Sequence, residues 1–193
     1  MPEKAPDAAH LYEAAMTHLA RYAATEASLR RVLARRIDRW GQKQAETAGP
    51  ETDISNDIAG GIQQAKAAIP DVLARLKELG VLNDAAFAAS RAKRLIKSGK
   101  SRQATLAHLA AKGVRDPVLS DDPERELAAA CAFLRRRRAG PYGDAAPEKI
   151  LAALGRGGFS QAIARRALAL SREEADEKIA LLDEPVESLL TGH

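Results

Sequence analysis

The chain has 193 residues, of which 46% are hydrophobic, so it can bury a core and is not disordered throughout. Aromatic residues make up only 4% and alanine and leucine dominate over β-branched residues, which favours helix over strand. The net charge is +4, but residues 173–193 carry −6 and residues 1–172 therefore +10. A basic body with an acidic end suits an anionic partner.

The sequence shows neither a membrane span nor a secretory signal. No stretch approaches the roughly 18 continuous apolar residues of a membrane span, and the first ten residues lack the pattern of a secretory signal. We therefore expect a cytoplasmic protein without membrane contact. Cys131, the single cysteine, lies in the segment AAACAFL and is predicted to be a small buried apolar residue in a reducing compartment.

Apolar residues at helical spacing predict two helices near the N-terminus. Asp7 caps the first and Thr25 caps the second, which is predicted to end before Gly41. The polar residues 41–57 predict a mobile linker, which extends to an insertion over 41–61.

A third helix is predicted to end at Gly80. Pro70 leaves its start open, because proline is tolerated in the first turn and kinks a helix anywhere deeper. The helix begins either near Gly61 with a kink or near Ile69.

Capping residues and apolar spacing predict further helices along the rest of the chain. Their starts are placed at Asn83 with Asp84, Ser101, Asp122 with Pro123, Pro147 and Ser160. A short additional helix is predicted around Val118 and Leu119.

Three segments resemble one another: VLARLKELGVL from Val72, TLAHLAAKGV from Thr105 and ILAALGRGGF from Ile150. In each, an amphipathic helix stops at a left-handed glycine and the next apolar side chain folds back on the last turn. This recurrence predicts an all-α fold, an elongated array of three tandem three-helix repeats built as helix-turn-helix-like units. The predicted bounds are 8–80, 83–121 and 123–170, followed by an acidic C-terminal tail over 171–193.

Catalytic and metal-binding patterns are missing from the sequence. The four histidines are scattered, Cys131 has no histidine or second cysteine nearby, and the glycines at 155–158 follow no strand and precede no GK[ST]. We therefore predict a protein that is not an enzyme, without metal or cofactor.

Cationic residues form the strongest functional signal. Arginines recur on the predicted second helix opposite its apolar positions, and seven cations lie between Arg91 and Lys112 without one acid. A solvated face is the alternative, but such faces usually mix both signs. The candidate contact residues are Arg30, Arg31, Arg35, Arg36, Lys93, Arg94, Lys97, Lys100, Arg102 and Lys112. A secondary candidate is the run Arg135, Arg136, Arg137 and Arg138.

Residues 76–114, LKELGVLNDAAFAASRAKRLIKSGKSRQATLAHLAAKGV, closely resemble the signature stretch of the RecX family. LARYAATEASLRRVLARR from Leu19 and LGRGGFSQAIARRAL from Leu154 also fit that family.

The chain departs from the family pattern in four places. The family's Ser-x-x-Glu box is here Thr25 to Ser28, so the reciprocal glutamate bond is expected to be absent. The connection over 41–61 is longer than usual, Pro70 is unexpected, and the acidic tail lies outside the match.

The resemblance implies a monomeric helical modulator that lodges in the groove of the RecA filament and restrains its recombinase, ATPase and coprotease activities in DNA repair and the SOS response. A repeat array offers a long surface, and a basic face suits an acidic protein groove or the DNA within it. The alternative is a direct DNA-binding helix-turn-helix protein that contacts phosphates. Because aromatic residues do not accompany the cations, such contact would be weak and non-specific in sequence.

Overall fold

The computed structural model describes residues 4–48 and 52–183, and these residues form helices and no strand. The all-α prediction is confirmed. The helices of this part are α1 (Ala8–Leu19), α2 (Glu26–Ala48), α3 (Thr52–Ala67), α4 (Ile69–Glu78), α5 (Asp84–Lys97), α6 (Arg102–Ala111), α7 (Pro123–Arg137), a 3-10 turn (Gly140–Tyr142), α8 (Pro147–Arg156), α9 (Gln161–Ala169) and α10 (Arg172–Ala180).

The chain divides into two compact units, residues 1–87 and 88–193, with the boundary inside α5. The first unit has one core, in which Leu11, Leu33 and Leu76 are fully buried. The second has a small cluster around Leu109 and a larger one built on the buried face of α7. These clusters are compatible with three repeats, and the repeat bounds stay a prediction.

The predicted linker is wrong for the described residues, because α2 continues through Gly41 to Ala48 and α3 begins at Thr52. Gly41 lies where α2 meets α3, and a Cβ there would come within 2.5 Å of Ile62 Cδ1. Gln44 is also buried. The face of α2 that contacts α3 thus includes a glycine and a glutamine. Because neither residue is a large apolar one, the apolar periodicity that predicts a helix is absent there.

The two alternatives for Pro70 are resolved in favour of a start at Ile69. Helix α3 ends at Ala67 and α4 begins two residues later, with proline in the first turn of α4. Proline fits there because a first-turn residue needs no backbone N–H donor inside the helix. The segment around Gly61 belongs to α3, a separate helix.

The predicted glycine stops are confirmed at Gly80, Gly113 and Gly158, whose φ angles are 69°, 85° and 86°. In each case the residue after the glycine donates its N–H to a carbonyl five residues earlier, which satisfies the end of the helix. The predicted packing of the next apolar side chain against the helix is absent at Val81, which is 42% exposed. Leu82 is buried instead.

Helix caps follow the sequence closely. Asp7, Ser101, Ser160 and Asp122 each accept a backbone N–H of the first turn, as predicted. Asn83 caps α5 through Ala86 N–H.

Two polar contacts at the helix starts of the first unit differ from expectation. Ser28 Oγ accepts the Thr25 N–H at 2.8 Å while Thr25 Oγ1 accepts the Ser28 N–H, so a reciprocal box exists without glutamate. Asp84 does not cap its own helix; it accepts the Glu26 N–H at 2.8 Å. The start of α5 is thereby tied to the start of α2.

Two further predictions need correction in the second unit. The residues around Val118 and Leu119 form no helix; Leu119 is buried within an irregular segment. The segment from 171 is not wholly a tail, because α10 packs against α7 and buries Ala175 and Ile179, and Leu182 in the turn after α10 is buried as well. Residues 184–193 lie outside the described residues. Cys131 is fully buried, as predicted, and burial raises the pKa of its thiol to about 11.

Candidate interaction surfaces

The arginines of α2 lie on its exposed side. Leu29, Leu33 and Ile37 are fully buried on one face of this helix. The cations that follow them in sequence are exposed, and these are Arg30, Arg31, Arg35 and Arg36. The amphipathic placement predicted from the spacing is therefore present in the folded first unit.

One of these arginines already has a partner. Arg30 donates to Glu26 at 3.0 Å, and Lys77 donates to the other oxygen of the same carboxylate at 3.0 Å. Hydrogen bonds from Lys77 and Arg30 hold the pKa of Glu26 below its usual value. Across the described residues no carboxylate pairs with Arg31, Arg35 or Arg36, so the charges of these three arginines are uncompensated there.

The second unit presents the cations of α5 and of the loops that flank α6. Arg94, Lys100 and Lys112 are exposed, whereas Lys93 and Lys97 are half-buried. They lie within the acid-free stretch found in the sequence. The exposure of Arg94 and Lys100 is compatible with an interaction surface.

The turn after α10 supplies an acid to this surface. Lys97 Nζ donates to Asp183 Oδ1 at 2.6 Å. This hydrogen bond, followed by the charges of Lys97, Arg135 and Lys93, holds the pKa of Asp183 below its usual value. Cations of α5 and α7 therefore converge on one carboxylate.

Arg102, a candidate contact residue, makes hydrogen bonds inside its own unit. Its guanidinium is half-buried and donates from Nε and Nη2 to the Leu119 carbonyl at 3.1 and 3.0 Å. Its backbone N–H also donates to Glu126 Oε2 at 2.9 Å. Arg102 therefore holds the irregular segment before α7 in place, and two of its guanidinium nitrogens are bonded inside the unit.

The secondary run at the end of α7 is exposed, and two of its arginines already contact other side chains of the unit. Arg135 lies 3.7 Å from Asp176, and the Arg137 guanidinium stacks 4.6 Å from the centre of the Phe133 ring. Arg138 ends the helix in the left-handed conformation, with φ of 50°. Within the described residues Arg136 and Arg138 are the members of the run without an ion pair or ring contact.

A pair that the sequence analysis did not connect lies between α5 and α6. Arg91 Nε donates to His108 Nε2 at 3.1 Å. Burial, followed by the charges of Arg91, Lys112 and Lys100, lowers the pKa of His108. The separation of 17 residues carries no local signal, so only the packing of α5 on α6 reveals the pair.

The predicted joint face, which combined the α2 arginines with the α5 and α6 cations, stays a prediction because these residues belong to different units. Within the described residues no cluster of three potential metal ligands occurs. The same residues contain no helix long and apolar enough to cross a membrane.

Comparison with known proteins identifies the family. Regulatory protein RecX of Myxococcus xanthus (strain DK1622) is 34% identical over 172 residues, which cover 82% of this chain and 84% of that protein. The chain belongs to the RecX family. No protein-family model and no solved structure matches it. The RecX assignment made from the residues 76–114 is thereby confirmed.

Proposed function

We propose that this chain binds the RecA recombinase filament and restrains its recombinase, ATPase and coprotease activities in DNA repair and the SOS response. The observation that carries the proposal is the family membership, which rests on identity spread over most of both chains. The chain acts by binding, as a cytoplasmic monomer without cofactor.

The charged surfaces support a binding role. Arg31, Arg35 and Arg36 lie together on the exposed face of α2 without a carboxylate partner in the described part of the chain. Like charges gathered on one face repel one another, and an anionic partner relieves that repulsion. Such a surface steers association with an acidic groove.

The direct experiment measures binding and activity together. RecA filaments assembled on single-stranded DNA with a slowly hydrolysed ATP analogue are sedimented with the chain, and strand exchange, ATP hydrolysis and repressor cleavage are followed in parallel. We expect co-sedimentation and inhibition of all three activities. A chain that stays in the supernatant and leaves the three activities unchanged contradicts the proposal.

The α2 surface is tested by the triple reversal Arg31→Glu, Arg35→Glu and Arg36→Glu. Each exposed charge contact contributes about 0.2–1 kcal/mol, and reversal also adds repulsion, so filament affinity should fall at least about tenfold. Helicity should not change, because the three side chains are exposed.

The matched control reverses three exposed cations of the second unit, for which the described residues offer no ion pair: Lys149, Arg156 and Arg165. Both triples change the net charge equally, so only a local contact separates them. Equal losses would mean that net charge alone governs binding. An α2 triple that inhibits as the wild type does would show that α2 presents a solvated face, and the run Arg135 to Arg138 would be tested next.

A further inference from the structure

Polar contacts attach helix α10 to the 3-10 turn and to both ends of α7. Tyr142 Oη donates to Asp176 Oδ1 at 2.8 Å, and Arg135 Nη1 lies 3.7 Å from the same oxygen. Lys178 Nζ donates to Glu124 Oε2 at 2.7 Å. The side chains of the two ion pairs are 32–53% exposed, so water and salt screen them. The ion pairs therefore contribute little to holding α10 on α7.

The apolar contact of α10 is small. Its buried side chains are Ala175 and Ile179, and Leu182 is buried in the turn that follows. A helix of nine residues is not stable by itself in water, so α10 depends on docking against α7. Segments with few buried apolar side chains and exposed polar contacts are the ones that open locally. Because only Leu170 and Ser171 separate α10 from α9, α10 can open as one unit while α9 stays packed.

Docked α10 covers Cys131, the single cysteine of the chain. Glu124, Cys131 and Arg135 are spaced by seven and four residues and therefore share one stripe of α7. Helix α10 contacts both ends of this stripe, through Lys178 and Asp176. Cys131 is fully buried between these ends, and after burial the charges of Lys178 and Asp176 act on the pKa of its thiol. Reagent access to Cys131 therefore reports whether α10 is docked.

The docked segment also places acids against two cations. Asp176 of α10 lies against Arg135, and Asp183 in the following turn accepts from Lys97 Nζ at 2.6 Å. The sequence marked both Arg135 and Lys97 as candidates for contact with an anionic partner. The chain therefore supplies its own acids at positions where a partner would supply them.

We propose that residues 171–183, which include α10 and the turn after it, form an autoinhibitory strap that occupies Arg135 and Lys97 and opens to release both cations. A filament that uses these cations binds open chains more tightly, so its apparent affinity rises with the fraction of open chains. The inference rests on the proposed function and adds its regulation.

The first measurement follows alkylation of Cys131 by N-ethylmaleimide in the full chain without RecA. When opening and closing are fast compared with alkylation, the rate is proportional to the open fraction. Tyr142→Phe removes the hydrogen bond to Asp176 without a change in net charge and should raise the rate about tenfold. Ile179→Ala reduces the apolar contact and should raise the rate at least as much. Tyr12→Phe makes the same change as Tyr142→Phe in the first unit and should leave the rate unchanged.

The second measurement is sedimentation of the same variants with RecA filaments at one salt concentration. Tyr142→Phe and Ile179→Ala should each raise filament affinity severalfold, in the order in which they raise the alkylation rate. Tyr12→Phe should bind as the wild type does. Because none of these substitutions changes the net charge, long-range electrostatics do not explain a gain in affinity.

Three results would overturn the inference. One is alkylation whose rate has the urea dependence of global unfolding in the wild type and in both strap variants, because α10 would then not open by itself. Another is faster alkylation of Tyr142→Phe with unchanged filament affinity. The third is weaker filament binding by both strap variants, which would make docked α10 part of the contact. A wild type that does not sediment with filaments refutes the proposed function and the autoinhibition with it, whereas failure of the inference alone leaves wild-type binding intact.

Discussion

Replacing Arg102 with alanine should destabilise the second unit, although sequence analysis placed this residue on an interaction surface. The change removes two hydrogen bonds, at 3.1 and 3.0 Å, from a charged donor to the Leu119 carbonyl. Hydrogen bonds to charged groups contribute about 1.5–3 kcal/mol each, and partial exposure reduces this. We expect a loss of about 2–3 kcal/mol. Arg94→Ala, an exposed cation on α5, should change stability by no more than about 0.5 kcal/mol.

The assay is urea unfolding of the full chain followed by far-ultraviolet circular dichroism, with amide exchange to assign the loss to the segment before α7. Its pH dependence gives a second check through Glu126. Burial raises the pKa of Glu126 in the folded chain, while the charge of Arg102 opposes that rise. Without Arg102 the pKa rises further, so ionised Glu126 costs the folded state more above its ordinary pKa of 4.5.

The stability difference between the wild type and Arg102→Ala should therefore be largest at neutral pH and shrink as the pH falls through the raised folded-state pKa of Glu126, which lies above that ordinary value. Two results would refute this reasoning. One is equal stability of Arg102→Ala and Arg94→Ala. The other is a stability difference that grows on acidification. Either result would show that the Arg102 side chain does not hold the segment before α7.

Two further predictions concern the second unit. Ser101→Ala should cost about 2–4 kcal/mol in urea unfolding, because the buried Ser101 hydroxyl both caps α6 and donates to the Gly157 carbonyl at 2.6 Å, whereas Ser160→Ala loses a cap alone and should cost about 1 kcal/mol. Equal costs would show that the bond to the carbonyl contributes nothing. Asp183→Asn should raise filament affinity severalfold at low salt by freeing Lys97, and Glu177→Gln, which removes the same charge from an exposed site of α10, should raise it less. Identical effects would mean that only net charge matters.

Local features of the fold could be predicted from the sequence because their causes lie within a few residues. A glycine stop such as Gly113 needs one left-handed residue and a carbonyl five residues back, and both are visible in the sequence. A cap such as Asp122 needs an acceptor next to a helix start. Each signal depends on the order of neighbouring residues, so no tertiary information is required.

Contacts between helices could not be predicted in this way. Gly41 interrupts the apolar pattern of α2, and it is buried because α3 approaches it closely. Residues 173–183 are rich in acids, so their composition did not predict a packed helix. The contact with the core is made by Ala175, Ile179 and Leu182 alone among these residues. In both cases a few small or widely spaced residues make the contact, and composition averages over them.

The number of cations in the sequence does not show which of them have bonding partners after folding. Arg102, Arg30 and Arg31 look alike in the sequence, yet the first holds a carbonyl, the second shares a carboxylate and the third has no ion pair among the described residues. Of the three, only Arg30 has its charge neutralised by an acid. A positive surface is therefore identified by which cations lack a carboxylate after folding, and Arg91, which donates to His108, is a cation that folding orients without neutralising its charge.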